Sequence, residues 1–204
     1  MKNIVDFFSK HINFEFQNVT WIGIITALAL VPVSNYFPES YGYENGLIEN
    51  IQLVILFLGL YFSLNTKTDK KFFYFIALVI GILLIREVNC GRTIFFPIPG
   101  EVNQFYRWSE IKYGWLAHPI FGAYIAFVGF YFLKNKLFIT LWEKIKNIKF
   151  PIWNFLLLLA GMAIGLYAEE IHHLVMEEYA ELLFYVALIG FIYLYSQDKK
   201  FLNS

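Results

Sequence analysis

The sequence predicts an all-α membrane protein built as a bundle of six transmembrane helices. Apolar residues make up 58% of the 204-residue chain and charged residues only 16%, whereas a soluble domain has roughly 25% charged residues. Six apolar runs of about 20 residues alternate with polar segments, and a helix of about 20 residues crosses the hydrocarbon core of a bilayer. We therefore expect a single integral membrane domain over residues 1–204.

The predicted spans follow from where each apolar run begins and ends. They cover about residues 19–37, 46–64, 72–90, 113–133, 151–167 and 177–195. No Gly or Pro lies between Gly165 and Gly190, so the last turn is poorly defined and the sixth helix could begin as early as Ala168. Before the first span, apolar and polar residues alternate over residues 4–16, which predicts an amphipathic helix at the membrane interface.

Two connecting segments have an organisation of their own. The segment 138–150 places Leu141, Trp142 and further apolar residues among lysines, which favours a helix lying on anionic lipid. The segment 96–112 is rich in proline and aromatic residues. It is typical of an aromatic anchor at the headgroups, and a lid over a site is the alternative.

The distribution of charge predicts the orientation in the cell membrane. Twelve of the sixteen Lys and Arg residues lie in segments on one side of the predicted bundle. Loops rich in Lys and Arg face the cytoplasm, so we expect both termini to be cytoplasmic. Eleven of the sixteen Asp and Glu residues, and three of the four His, lie on the opposite, outer side.

Overall charge and cysteine content argue against two other classes of protein. The formal net charge is zero, so there is no basic surplus that would indicate a nucleic-acid partner. Cys90 is the single cysteine, so the chain has neither an internal disulfide nor a thiolate metal cluster. The bilayer is the partner that the composition predicts.

The second predicted span begins with an unusually polar stretch. It reads Glu44-Asn45-Gly46-Leu47-Ile48-Glu49-Asn50-Ile51-Gln52. Glu44 or Asn45 could cap the helix, but we expect Glu49 to lie too far into the helix for that role. Glu49 and Gln52 are three residues apart and share a helix face. Ionisable groups at membrane depth cost free energy and usually serve a function.

The third predicted span ends with Arg86 and Glu87. Neighbouring residues point about 100° apart on a helix, so these two should pair with other helices. We expect Arg86 to pair with Glu49, because a guanidinium makes two parallel bonds to a carboxylate. An ion pair that only fixes helix packing is an equally good interpretation. His118, one turn inside the fourth span, is a further candidate.

An acidic, histidine-containing stretch precedes the sixth span. If it is helical, Glu170, His173, Glu177 and Glu181 form one stripe at spacings of three, four and four. Glu-x-x-His is a spacing that carboxylate-bridged di-metal bundles use. Its oxygen and nitrogen donors suit a divalent transition metal such as zinc, iron or manganese. The alternative is a solvated acidic loop followed by a helix start whose dipole favours acids.

Short motifs resemble those of a loose group of bacterial polytopic membrane proteins. The motifs are the stretch from Glu44 to Glu49, Arg86-Glu87 followed by Gly91, and the acidic run before the last span. The group repeats an acidic-Gly-x-x-Glu helix start and a charged stretch that leads to a glycine. The resemblance implies a multi-pass protein of the bacterial cytoplasmic membrane, and it implies no activity.

Three classes of function are compatible with these residues. The first is an enzyme acting on a lipid or lipid-linked substrate, with or without a metal. Its catalytic candidates are Glu49, Arg86, Glu87 and His118, and its metal candidates are Glu170, His173 and Glu177. The second is an accessory subunit that docks a membrane partner protein on its acidic face. The third is a proton- or ion-coupled transporter.

Overall fold

The structure, a computed structural model, describes residues 11–67, 69–147 and 149–197 and is mostly helical. Its helices, in chain order, are α1 (Asn18–Tyr36), α2 (Leu47–Asn65), α3 (Lys70–Glu87), α4 (Arg92–Phe95), α5 (Ala117–Lys134), α6 (Leu137–Asn147), α7 (Ile152–Glu170) and α8 (Leu174–Ser196). Three short 3-10 helices, Glu39–Gly42, Asn89–Gly91 and Gly114–Leu116, lie between them. The fold is therefore all-α, as predicted.

The long helices are compatible with a polytopic membrane protein. Five of them, α1, α2, α5, α7 and α8, are long and apolar enough to cross a membrane. Together, α3 and the segment Asn89–Phe95 after it pass the same test, but with a 54° bend between them. Within the described residues there are thus five or six candidate spans, at the predicted places.

Left-handed residues explain where the helix ends differ from those predicted. The predicted third span continued to residue 90, but α3 ends at Glu87 because Asn89, Cys90 and Gly91 all have positive φ. The predicted sixth helix could begin at Ala168. Instead α7 continues to Glu170 and α8 begins at Leu174 after a turn with His172 at φ 55°. Positive φ is incompatible with a continuing right-handed helix.

Helix α8 is the central helix of the bundle. It packs against α7, α2 and α1, and ten of its residues are buried. An apolar core of Leu56, Phe73, Ile80, Ile189 and Ile192, together with the Tyr185 ring, joins α8 to α2 and α3. Helix α5 is peripheral: it packs mainly on α3, and only Val128 is buried along its length. Most of the α5 surface is therefore not covered by the other described helices.

The two ends of the bundle differ in charge, and we name them accordingly. At the acidic end α2, α5 and α8 begin and α1, α3 and α7 end; at the lysine end the opposite holds. At the lysine end α6 confirms the helix predicted within 138–150, and Lys144 forms an ion pair with Asp69.

The predicted interfacial helix lies partly outside the described residues. Residues 1–10 are not described. Ile12–Asn13 form a two-residue strand, β1, that pairs in parallel with β2, Phe150–Pro151. The part of the predicted helix from residue 12 onward is therefore not helical, because residues 12–13 pair with the segment before α7 and residues 14–16 are irregular.

Candidate functional site

Seven polar side chains from three helices meet at the acidic end of the bundle. We call them the carboxyl network: Glu49, Gln52, Arg86, Glu87, Glu178, Glu181 and Tyr185. Helices α2, α3 and α8 supply them, and hydrogen bonds and electrostatic interactions connect them. Helix α8 contributes three of the seven side chains, Glu178, Glu181 and Tyr185. Spacings of three and four residues place them on one face of the helix.

Arg86 pairs with Glu181, and not with Glu49 as the sequence led us to expect. Its Nη2 lies 2.6 Å from Glu181 Oε1, and its Nη1 donates to the Tyr185 hydroxyl at 3.4 Å. The same hydroxyl donates to Glu87 Oε1. Helix α3 thus presents its last two residues to α8, while the Glu49 carboxyl is engaged within the start of its own helix. The Arg86 side chain stays 55% exposed, so its other face is open to a ligand.

Glu49 and Gln52 form the buried part of the network. Gln52 Nε2 donates to the Glu178 backbone oxygen at 2.7 Å and to Glu178 Oε2 at 3.0 Å. Glu49 is the third residue of α2, and its Oε2 accepts from the backbone N–H of Asn45. This contact resembles the return bond of a capping box. The expectation that Glu49 lies too far into the helix to cap it is therefore wrong.

Two buried oxygens of the network lack a hydrogen-bond partner among the described residues. They are Glu49 Oε1 and Gln52 Oε1, and their residues are only 4% and 0% exposed. A buried acceptor without a donor costs about 1–3 kcal/mol. Both atoms are acceptors for which the described residues supply no donor.

Asn45 ties the network to the segment that follows α3. Its Nδ2 donates to the backbone oxygen of Thr93 at 2.5 Å, and Glu44 N–H donates to Asn103 Oδ1 at 3.0 Å. Asn45 has a φ of 60°, a left-handed conformation that asparagine tolerates well. These bonds place residues 93–103 beside the start of α2, so this segment covers the network on the side of the acidic end.

A cleft on the side of the bundle reaches the network between α3, α7 and α8. It has a volume of about 280 Å³, and Arg86, Glu177 and Glu181 line it on one side. Met162, Leu166 and Phe184 supply its apolar walls. At Gly161, helices α7 and α8 are so close that a Cβ on this residue would lie 2.7 Å from the Phe184 backbone nitrogen. The charged groups of the cleft therefore lie beside an apolar surface.

The predicted metal stripe does not form. Glu170 is exposed at the end of α7, and the turn through His172 separates it from α8. His173 is the N-cap of α8, where its Nδ1 accepts from Met176 N–H at 3.3 Å. Glu177 lies in the first turn of α8. Within residues 11–67, 69–147 and 149–197, no three His, Cys, Asp or Glu side chains are grouped to hold a metal, so metal binding is not supported.

His118 lies away from the network. It is exposed at the start of α5, and its ring meets the Trp108 ring edge-on with centroids 6.1 Å apart. Of the predicted catalytic residues, the structure brings Glu49, Arg86 and Glu87 together and leaves His118 out. Sequence reasoning missed Glu178 and Tyr185, although their spacing from Glu181 places all three on one helix face.

Comparison with known proteins assigns this chain no function, so its function has to be inferred from the geometry of the network and the cleft. No family model matches the chain, and neither does any curated protein or solved structure.

Proposed function

We propose that this protein is a membrane-embedded enzyme that performs acid–base chemistry on a lipid or lipid-linked substrate. The observation that carries the proposal is the connection of a partly buried carboxyl network to a lateral cleft with apolar walls. Four carboxyl groups and one guanidinium share the network. Such an excess of acid in a poorly hydrated place costs free energy and usually serves a function. Carboxyl groups beside a substrate cleft can donate and accept protons.

The acidic end would face the outside of the cell. Eight of the twelve Lys and Arg residues that the structure describes lie at or near the lysine end, which the positive-inside rule assigns to the cytoplasm. Both termini would then be cytoplasmic, and the cleft would open into the outer leaflet. A substrate would enter sideways from the bilayer.

Four groups at or beside the cleft have a role in this proposal. Arg86, half-exposed, would bind an acyl or phosphoryl oxygen and stabilise the negative charge that develops there. Glu177 lines the cleft and makes no ion pair within the described residues, so it would accept the proton of an attacking hydroxyl group and return it to the oxygen of the leaving group as that bond breaks. Glu181 and Tyr185 would position Arg86 through the bonds already described.

The packing below the network argues against a transporter. A transport path needs polar groups near the middle of the membrane. Instead, the apolar core of Leu56, Phe73, Ile80, Ile189 and Ile192 fills the space between α2, α3 and α8. The buried Thr20–Asn154 hydrogen bond lies beyond it, near the lysine end. In this conformation the two polar regions are separated.

An accessory subunit is the competing proposal, because many acids at the acidic end are exposed. Exposed carboxylates at this end are Glu39, Glu44, Glu101, Glu110, Glu169 and Glu170. Such a surface could dock a basic partner protein. In that case, neutralising single acids should change little, whereas an enzyme depends on one or two groups.

Lipid composition of the native host tests the proposal. A deletion strain would be complemented with wild type, Arg86→Gln, Glu177→Gln or Glu170→Gln, the last an exposed acid outside the cleft. We expect the deletion strain to accumulate a lipid that wild type and Glu170→Gln remove. The two cleft variants should consume this lipid at least ~100-fold more slowly than wild type. Unchanged lipids on deletion, or full function of both cleft variants at normal abundance, would favour the accessory subunit.

A further inference from the structure

A second cavity lies on the opposite side of α3 from the carboxyl network. It measures about 710 Å³, and its walls include Ile85 and Val88 of α3, Phe96 and Trp108 of the following segment, and Ile120 and Phe121 of α5. These walls are almost wholly apolar. Ligand sites of proteins span roughly 300–1,000 Å³, so the cavity is large enough for a substantial apolar group.

The packing of α3 and α5 explains why the cavity forms. The Tyr124 hydroxyl donates to the Leu78 backbone oxygen at 3.0 Å, and Gly81 leaves room for it, since a Cβ there would lie 2.5 Å away. Toward the acidic end, α3 stops at Glu87 and the chain bends by 54°. Helices α3 and α5 therefore diverge from Tyr124 toward the acidic end, and residues 88–116 form the remaining wall of the cavity.

The cavity has one charged side chain among the described residues that line it. This side chain is Lys112, whose Nζ lies 5.2 Å from the centroid of the Tyr113 ring. Within the described residues Lys112 forms no ion pair. An unpaired cation beside an apolar cavity at the end of a bundle is complementary to an anionic lipid, whose headgroup stays wet while its chain is buried.

We propose that this cavity binds one acyl chain of an anionic phospholipid, whose phosphate lies against Lys112. The proposal goes beyond the enzymatic function and does not depend on it, because the carboxyl network faces α8 and the cavity faces α5. Apolar walls favour a hydrocarbon chain over any polar ligand. The lysine selects an anionic headgroup over a zwitterionic one.

Lipid retention by the full-length protein tests this proposal. Detergent-purified protein would be offered equal amounts of phosphatidylglycerol and phosphatidylcholine and analysed by native mass spectrometry. The test variants are Lys112→Gln, which removes the cation, and Ala117→Trp, which fills the cavity. The matched controls are Lys134→Gln, a lysine above Phe130 at the lysine end, and Ala126→Trp, on the exposed face of α5.

We expect wild type and both controls to retain one phosphatidylglycerol in preference to phosphatidylcholine. Lys112→Gln should reduce this preference about fivefold, and Ala117→Trp should lower retention of both lipids. Equal retention of the two lipids by wild type would overturn the proposal. So would undiminished retention by Ala117→Trp.

Cys90 offers a second measurement that does not depend on mass spectrometry. It is the only cysteine of the chain and lines the cavity. Phosphatidylglycerol should slow its alkylation by N-ethylmaleimide in wild type and in Ala126→Trp, and phosphatidylcholine should slow it less. Equal alkylation rates with and without phosphatidylglycerol would contradict a bound chain. Protection by inorganic phosphate alone would show an anion site without a chain, and this would also refute the proposal.

Discussion

Tyr185, in the middle of α8, donates its hydroxyl hydrogen to Oε1 of Glu87, the last residue of α3. The same hydroxyl accepts from Arg86 Nη1 at 3.4 Å. Tyr185 has no exposed surface. A single buried hydroxyl thus joins both charged residues at the end of α3 to the central helix, and it aligns Arg86 with the cleft.

Removing this hydroxyl should destabilise the bundle and misalign Arg86. Tyr185→Phe keeps the ring in the core but leaves the Glu87 carboxyl without its donor, which should cost about 1–3 kcal/mol. Tyr179→Phe is the control, because the Tyr179 ring packs in the neighbouring core and its hydroxyl has no hydrogen bond among the described residues. The control should change the free energy of unfolding by less than about 0.5 kcal/mol. Unfolding in mixed detergent micelles measures both, and equal losses would refute this role of the hydroxyl.

The ion pair between Arg86 and Glu181 predicts a specific energetic coupling. Their side chains are 55% and 25% exposed, so the coupling should be modest, about 0.5–1 kcal/mol in a double-mutant cycle of Arg86→Gln and Glu181→Gln. The same cycle with Glu49→Gln in place of Glu181→Gln should give a coupling near zero. A larger coupling of Arg86 to Glu49 would restore the pairing that the sequence suggested and contradict the structure.

The spans were predictable because an apolar run of about 20 residues is stable in a bilayer as a transmembrane helix. The bounds of α1 and α2 differ by only one residue from those predicted. The turn after α7 was not predictable from glycine or proline, since the left-handed residue there is His172. That single residue separates Glu170 from His173, and so it removes the metal stripe that a continuous helix would have formed.

Which side chains of the site bond to one another was harder to predict than which residues belong to it. Sequence spacing shows that Glu49, Arg86 and Glu87 lie near the same end of the bundle, but it does not show which helix faces which. Arg86 pairs with Glu181 because side chains of α3 and α8 meet in the core that both share with α2. Glu49 bonds to Asn45, a contact that depends on α2 beginning only at Leu47. Boundaries and rotations of helices decide such pairs, and composition does not encode them.

The contact between the Glu49 carboxyl and Asn45 N–H predicts how Glu49 variants behave. In Glu49→Gln the new amide oxygen can still accept from Asn45 N–H, so the free energy of unfolding should shift by less than about 0.5 kcal/mol. In Glu49→Leu the Asn45 N–H loses its acceptor, which should cost about 1–3 kcal/mol. Thermal unfolding of both variants in one detergent compares them. If Glu49→Gln were as unstable as Glu49→Leu, the carboxyl group itself, and not only an acceptor for Asn45 N–H, would be required.

The close approach of α7 and α8 predicts opposite outcomes for two glycines four residues apart. At Gly161 a Cβ would lie 2.7 Å from Phe184 N and 2.9 Å from Ala180 O, both backbone atoms that cannot yield without moving α8. Gly161→Ala should therefore cost about 1–3 kcal/mol and widen the cleft beside Arg86. At Gly165 the nearest atom is the Ala180 Cβ at 3.8 Å, so Gly165→Ala should be neutral or gain up to about 1 kcal/mol in helix stability. The free energy of unfolding of both variants measures internal packing, and their size-exclusion profiles report self-association. Together the two measurements distinguish these roles. A shift in oligomeric state without loss of monomer stability in Gly161→Ala would instead place this glycine pair at an interface between two copies.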